Sequence, residues 1–513
     1  MKSINNIPHL LLLPVIALFA VIPNGSNAQI SLTAENMALG GGGTAYLTGY
    51  ESLFVNPANI YITEKSYSYQ LSLFQGAYYY DSLLPINNNL QRLNRFREGV
   101  NFYDPANNRL LESESMREDL VERSFGDNHS SRQLTTQSDI YWVGIKWVRP
   151  KRSYAVSLRS RFASQYELGR GFYSSSPIHR GGSFEFNQSF RHRYQSLHEL
   201  SIGYAESFTY LNGLIPQLSE FIIGIAPKIV LSGAYLDSSF DNTYHLETEG
   251  GFWVRELAYH QQTSGVLSEQ ARQYFAHQSP DLNPELHSFS DLFQPTGIGL
   301  GLDIGLTYLI TFGDDLSVLR RQDDPTDQSL RISFSVTDLG AVYHRTTPYE
   351  FQSVPKTITT EQTSSVYRSV YGGSINEHYR LLTEFGNELE FEAETDNTEN
   401  FSVLLPTSIH TGALFQYRRL KLMGDLSYSI ARSAFNNAGL ISYFGMEIRP
   451  VRSIPLRTGT RIGGGLPGYF SFGTGFETNR FDLNAAVQVK TRNSGPTSEI
   501  VAASLLGIKF YLQ

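Results

Sequence analysis

No cysteine occurs anywhere in the 513 residues. The chain is therefore neither a disulfide scaffold nor a thiolate-anchored lipoprotein. An excess of positive charge is missing too: 41 Lys and Arg stand against 49 Asp and Glu, a net charge of −8. No basic stripe stands out, which argues against nucleic acid as a partner. Beyond the opening residues there is no long hydrophobic run, and the longest candidate, 221–226, falls far short of the roughly 18 apolar residues of a membrane helix. Also absent are a His-Glu-x-x-His pair, a Gly-x-Ser-x-Gly elbow and any paired-histidine metal spacing. His192 and His198 read as polar lumen or loop residues. The expectation is a non-enzyme, with no catalytic residue, no metal and no cofactor.

What is present points to export. Lys2 gives a short positive start, 10–22 are apolar, and Ser26-Asn27-Ala28 offers a small-residue cleavage site before Gln29. Residues 1–28 thus read as a cleaved signal peptide. Tyr (31) and Phe (32) are plentiful enough for girdles of interfacial aromatics, and Gly (43) suits inward faces that must admit a close backbone.

The decisive pattern is alternation. From Gly297 to Thr311, residues Ile298, Leu300, Leu302, Ile304, Leu306, Tyr308 and Ile310 take the even positions. Gly297, Gly299, Gly301, Asp303, Gly305 and Thr307 take the odd ones. A strand has period two, so one face is hydrocarbon and the other small or polar. About ten residues of uninterrupted apolar face are what a tilted strand needs to cross lipid. The pattern recurs at Tyr67–Leu73, with Tyr141, Val143, Ile145 and Trp147, at 154–162, at 420–430 and at 483–490, with charges such as Arg159, Arg161, Lys146 and Asp425 opposite the apolar face. Leu302→Arg should therefore damage insertion, whereas Thr307→Arg, pointing inward, should still assemble.

The fold class expected is all-β: a transmembrane antiparallel β-barrel of about 14 strands (12–16), with an N-terminal hatch or plug segment. Fifteen strand candidates lie near 67–80, 139–148, 153–163, 197–210, 219–235, 240–256, 296–312, 329–345, 407–417, 419–430, 438–449, 455–464, 468–476, 480–491 and 498–511. An even count requires that one be a loop or that two form one bent strand. The domains are 1–28 signal peptide, 29–66 hatch, and 67–513 barrel with long loops near 81–137, 257–295 and 346–405. The last loop is acidic, but its spacing matches no calcium loop, and a solvated loop is the better reading. The final strand places Leu506, Ile508, Phe510 and Leu512 on one face.

The most specific motif opens the mature chain: Ala38-Leu39-Gly40-Gly41-Gly42-Gly43-Thr44-Ala45, then Ser52-Leu53-Phe54-Val55-Asn56-Pro57-Ala58-Asn59. It lacks the Lys-Ser/Thr of a phosphate loop. Pro57 fixes its own backbone and biases Asn56 away from helix, while the Asn56 amide can bond unpaired backbone groups. This arrangement resembles the start of FadL-type outer-membrane transporters, including PorV-like members from Bacteroidota secretion systems. Later stretches are similar in order: Val336-Thr337-Asp338-Leu339-Gly340, Leu405-Pro406-Thr407, Gly445-Met446-Glu447, Leu456-Arg457-Thr458-Gly459 and Gly473-Thr474-Gly475. The resemblance implies a hatch formed by Gly40, Gly41, Gly42, Gly43, Asn56, Pro57 and Ala58. It also implies a barrel in the cell outer membrane, surrounded by its lipid, that passes a hydrophobic small molecule. The alternatives are a plugged scaffold whose partners are secretion or surface-assembly subunits, and a surface-binding protein or adhesin using the acidic insertion.

Overall fold

The computed structural model describes residues 33–65, 67–82, 103–104, 109–110, 121–122, 125–126, 129–172, 174, 177–180, 183–208, 219–246, 252–275, 293–312, 328–360, 399–430, 432–436, 439–463, 466–490 and 499–512. The expected signal peptide, 1–28, and the acidic stretch 384–396 of the third expected long loop lie outside them.

Fourteen strands close into one antiparallel barrel. The first half comprises β1 (Tyr69–Ser82), β2 (Ser131–Val148), β3 (Arg152–Gly169), β4 (Phe190–Phe208), β5 (Ser219–Leu246), β6 (Gly297–Thr311) and β7 (Gln328–His344). The second comprises β8 (Ser408–Tyr417), β9 (Leu420–Ser429), β10 (Gly439–Val451), β11 (Ile454–Gly463), β12 (Leu466–Glu477), β13 (Phe481–Lys490) and β14 (Glu499–Leu512). Each pairs with its sequence neighbour, and β1 closes on β14 from Tyr69↔Leu512 to Tyr79↔Ala502. Closure leaves no edge, which is what permits a sheet to cross lipid.

The alternation sets the faces. Leu300, Ile304, Ile229, Leu231, Phe334, Leu422, Phe472 and Phe510 are exposed on the outer wall, whereas Asp303, Thr307, Lys228, Arg159, Glu199 and Asp425 are buried inside. Four described connections are tight: 149–151, Arg418-Arg419, 452–453 and 478–480. They share one end of the barrel, as the short turns of outer-membrane-type barrels do.

The structure departs from the sequence expectations in four places. The candidates 219–235 and 240–256 are not two wall strands, since β5 continues unbroken to Leu246. The polar run at Asp237, Ser238 and Ser239 reads as a break, yet Leu236, Ser238 and Phe240 keep the buried face. Second, the stretch near 257–295 is not simply loop. Trp253–Ser264 forms a strand on upper β5, and a helix, α2 (Val266–Phe275), follows. The stretch near 346–405 likewise carries short strands at Tyr349–Gln352, Lys356–Thr360 and Phe401–Leu404. Third, β2 slips register against β3 between Tyr141 and Val143. Tyr141 therefore turns inward and is fully buried, while Val143 and Ile145 stay on the outer face. His198 is also outside the lumen: its ring stacks on Phe293 at 5.1 Å and its Nδ1 lies 2.8 Å from the Ser160 hydroxyl.

Candidate functional site: a segment seated in the lumen

Residues 33–65 precede β1 and fill the barrel. They begin as a single turn of helix, α1 (Ala34–Ala38), where Thr33 and Asn36 cap each other's backbone. The chain then turns at Gly40 and Gly41, whose φ values of 93° and 106° a side chain would resist. Two 3-10 turns follow, Tyr50–Phe54 and Pro57–Tyr61. Asn56 is extended (φ −154°, ψ 96°), the restriction that a following proline imposes.

Small residues on the wall make room for this backbone. A Cβ at Gly224 on β5 would meet Ala58 N at 2.2 Å, and one at Gly459 on β11 would meet the Leu39 carbonyl carbon at 2.3 Å. Gly144 faces the Tyr50 ring, Gly305 faces Asn56, and Gly473 faces Ala38. These glycines come from strands around the whole circumference, so the segment sits within the barrel and not beneath it.

Polar joints fasten it. Asn56 Nδ2 donates to the Thr44 carbonyl at 3.0 Å and to Thr307 Oγ1 on β6 at 3.0 Å, and its Oδ1 accepts from Ala58 N at 3.2 Å. Asn59 Nδ2 also donates to Thr44 O, at 2.8 Å, which ties the Gly-rich stretch to the Asn-Pro-Ala turn. On the opposite wall, Asp425 of β9 accepts from the backbone N–H groups of Gly43 and Thr44. Lys146 of β2 donates to the carbonyls of Thr48 and Ile62 at 2.7 and 2.8 Å. Lys509 of β14 bridges Glu35 and Glu51 at 2.8 Å each.

Beside the segment lies a charge-neutral cluster of six fully buried groups: Arg159, Arg161, Glu199, Lys228, Asp303 and Asp338. Arg159 grips Glu199, Arg161 reaches both Glu199 and Asp338, and Lys228 joins Asp303 (2.9 Å) to Asp338. Phe54 of the inner segment lies 3.8 Å from the Arg159 guanidinium, and Phe435 stacks over Arg161 at 4.9 Å. Geometry of this kind is needed because a charge left unpaired in such a setting is strongly destabilising.

The segment's own carboxyls feel the surroundings. Burial pushes Glu35 up to about 7 against the pull of Lys509. Burial would raise Glu51 as well, but Lys509 outweighs it and holds that carboxyl below its ordinary value. Glu64, despite burial, is lowered to about 2 by Lys421 and Arg331. Among the described residues no cluster of His, Asp and Glu could hold a metal ion.

The expected hatch residues Gly40, Gly41, Gly42, Gly43, Asn56, Pro57 and Ala58 are all buried inside the barrel. They fall into two groups, the glycines against β8–β11 and the Asn-Pro-Ala turn against β5 and β6, joined through Thr44. The later motifs also gain a cause. Asp338 adopts φ 58° where β6 and β7 slip register, which aims its carboxylate into the cluster, and Gly340 lets the Leu300 carbonyl approach. Thr407 Oγ1 donates to the Asp338 carbonyl at 2.8 Å. Glu447 pairs with Arg457 at 2.7 Å. Sequence reasoning missed the six-group cluster as a unit. Its signal was the inward charges at mid-strand, which the alternation had already placed on one face.

A sequence model of one family of unknown function, DUF5723, matches residues 87–442, from beyond β1 into β10. The chain belongs to that family. No curated protein matches the sequence of this DUF5723 member. Among solved structures it is similar to the Pseudomonas putida toluene transporter TodX, at 10% identity and a TM-score of 0.43 over 94% of this chain and 99% of that one. The Ralstonia pickettii toluene transporter TbuX gives 11% and 0.43 over 94% and 99%. A Pseudomonas aeruginosa FadL homologue gives 9% and 0.40 over 95% and 100%.

Proposed function

We propose that this barrel resides in the outer membrane, exported behind the 1–28 signal, and passes a hydrophobic small molecule. Residues 33–65 act as its gate. The observation that carries this reading is the apolar lining hidden beneath the segment. Leu53, Phe54 and Ile60 pack against Tyr141, Ala155, Ala205, Ile222, Ala226 and Leu309 of the inner wall. A water-filled pore has a polar interior. Here, displacing the segment uncovers a hydrocarbon surface inside the barrel, on the side of β2–β6. The wall's own ladders close without the segment, so it can shift while the barrel stays shut to lipid.

A second reading draws on the filled lumen. The segment and the six-group cluster leave the lumen occupied, as suits a plugged scaffold for secretion or surface-assembly subunits. The double variant Asn56→Ala/Pro57→Gly separates the two. Normal insertion with changed uptake of a hydrophobic probe supports transport, and loss of a co-purifying partner supports the scaffold. Unchanged uptake and partners would make the segment a passive cap.

A further inference from the structure

The lipid-facing wall over β10–β13 is not smooth. Outward positions there carry the small side chains Thr458, Thr474 and Ala485, set among the larger Met446, Leu456 and Phe472. The result is a groove of about 650 Å³, within the usual size of ligand pockets. Leu456 pairs with Thr474, Thr458 with Phe472, and Thr474 with Ala485, so the depression crosses three neighbouring strands. Both threonine hydroxyls are spent on the wall. Thr458 Oγ1 donates to the Ser471 carbonyl at 3.1 Å and Thr474 Oγ1 to the Pro455 carbonyl at 3.0 Å. The floor therefore presents hydrocarbon.

At the short-turn end of the same four strands stand two exposed arginines, Arg452 between β10 and β11 and Arg480 between β12 and β13. A hydrogen bond from Glu477 N to the Ser453 carbonyl, at 2.8 Å, holds the two turns together. The acids nearby face the other way: Glu447 and Glu477 are buried and paired with Arg449 and Arg457. The remaining tight turns repeat the theme with exposed Arg149, Lys151, Arg152, Arg418 and Arg419. Arg418 even occupies φ 53°, where Gly or Asn costs less, and lays its guanidinium 5.5 Å from the Tyr417 ring. Turn geometry does not account for an arginine there.

We propose that the groove binds an anionic phospholipid of the leaflet at the short-turn end, one acyl chain in the groove and the phosphate on Arg452 and Arg480. The occupant's tail is hydrocarbon because the groove opens on the membrane face. Its headgroup is anionic because the rim offers cations without exposed acids, and a headgroup carrying its own cation gains less. The site is independent of whatever crosses the lumen.

The test uses the full barrel in nanodiscs of equimolar phosphatidylglycerol and phosphatidylcholine, with retained lipid counted by native mass spectrometry. The expected result is one retained phosphatidylglycerol, favoured by about fivefold for each arginine. Arg452→Ser/Arg480→Asn should bring the two lipids near parity. Ala485→Phe, which fills the groove, should lose the retained lipid while gel mobility still shows a folded barrel. Equal retention by the wild type, or a preference unchanged in the arginine variant, overturns the proposal. Lipid kept by Ala485→Phe overturns the groove assignment, and the arginine variant decides alone if Ala485→Phe does not fold. Arginine-dependent binding of polyglutamate in place of lipid preference would assign the rim to an acidic protein partner, and the proposal would fall.

Discussion

Replacing Asn56 by alanine isolates one joint of the inner segment. Five hydrogen bonds disappear; two are long, to Asn59 Oδ1 at 3.4 Å and the Leu306 carbonyl at 3.5 Å, and the other three are not equal. The Thr44 carbonyl keeps its bond from Asn59 at 2.8 Å, so losing the Asn56 donor orphans nothing there. Thr307 likewise keeps Asn59 at 2.6 Å and Ser333 at 2.9 Å. Ala58 N loses its cap outright, since the side chain of Asn56 is its acceptor. A lost N-cap costs about 1 kcal/mol, and a lost bond to the wall at Thr307 costs about another 1 kcal/mol. The sum, about 2 kcal/mol, shifts the ratio of seated to released segment roughly 30-fold. Hydrogen exchange across 33–65 in the reconstituted barrel reads that ratio, while heat-modifiable gel mobility reads the wall. Protection should fall in the segment and stay constant in the strands. Unchanged protection would mean that Asn56 fastens nothing, and a barrel that no longer forms would place Asn56 in the folding of the wall.

Leu302→Arg puts a cation on the lipid face and should lose about 2–4 kcal/mol near the midplane, seen as reduced membrane yield. Thr307→Arg should spare the wall but unseat the segment, because Thr307 is fully buried beside Asn56 and Asn59; increased protease cleavage within 33–65 checks it, and a silent variant would contradict the joint. Glu199→Ala strips the shared carboxylate from Arg159 and Arg161 and should destabilise the barrel by about 3–5 kcal/mol, measured as a lower midpoint for loss of heat-modifiable mobility. Seating should also depend on pH. Glu35, raised from 4.5 to about 7, holds its proton only when seated, so seating weakens as pH rises between those values. Glu51 and Glu64 are lowered and weaken seating as pH falls below 4.5. Protease protection should therefore peak near 4.5, and Glu35→Gln should remove the decline on the alkaline side.

Much of the wall was legible because lipid imposes alternation along most of each strand. The evens and odds of Gly297–Thr311 fall on outer and inner faces up to Tyr308, and the run Leu309–Thr311 is buried on both. Legibility failed where lipid no longer imposes the rule. Asp237 to Asp241 on β5 have risen past the apolar band, so their polarity reads as a break in a strand that continues. It failed again at Trp142, because one extra residue in a ladder swaps the faces of everything beyond it. The seven residues expected of a hatch were named from resemblance and from the demands of Gly and Pro, and all lie buried inside the barrel. Their partners Thr307 and Asp425 lie about 250 and 380 positions away, and Lys509, which holds Glu35 of the same segment, lies 474 away, beyond the reach of any local pattern. The six-group cluster was hidden for a related reason: five successive strands supply one or two charges each, with Arg159 directly opposite Glu199 but Arg161 reaching from β3 to Asp338 on β7.

The place of Lys509 has a consequence for how the molecule is built. The inner segment is the first described part of the chain, yet Glu35 and Glu51 find their cation on the last strand, 474 and 458 residues downstream. Loops of that span form late, after local pairings have accumulated. An unfinished sheet offers the segment only some of its holds, and its two carboxylates stay without Lys509 until β14 arrives. The strand that delivers Lys509 is also the one that seals the wall against β1. Sealing the barrel and seating its contents are thereby the same late step, and a chain truncated before β14 forfeits both together.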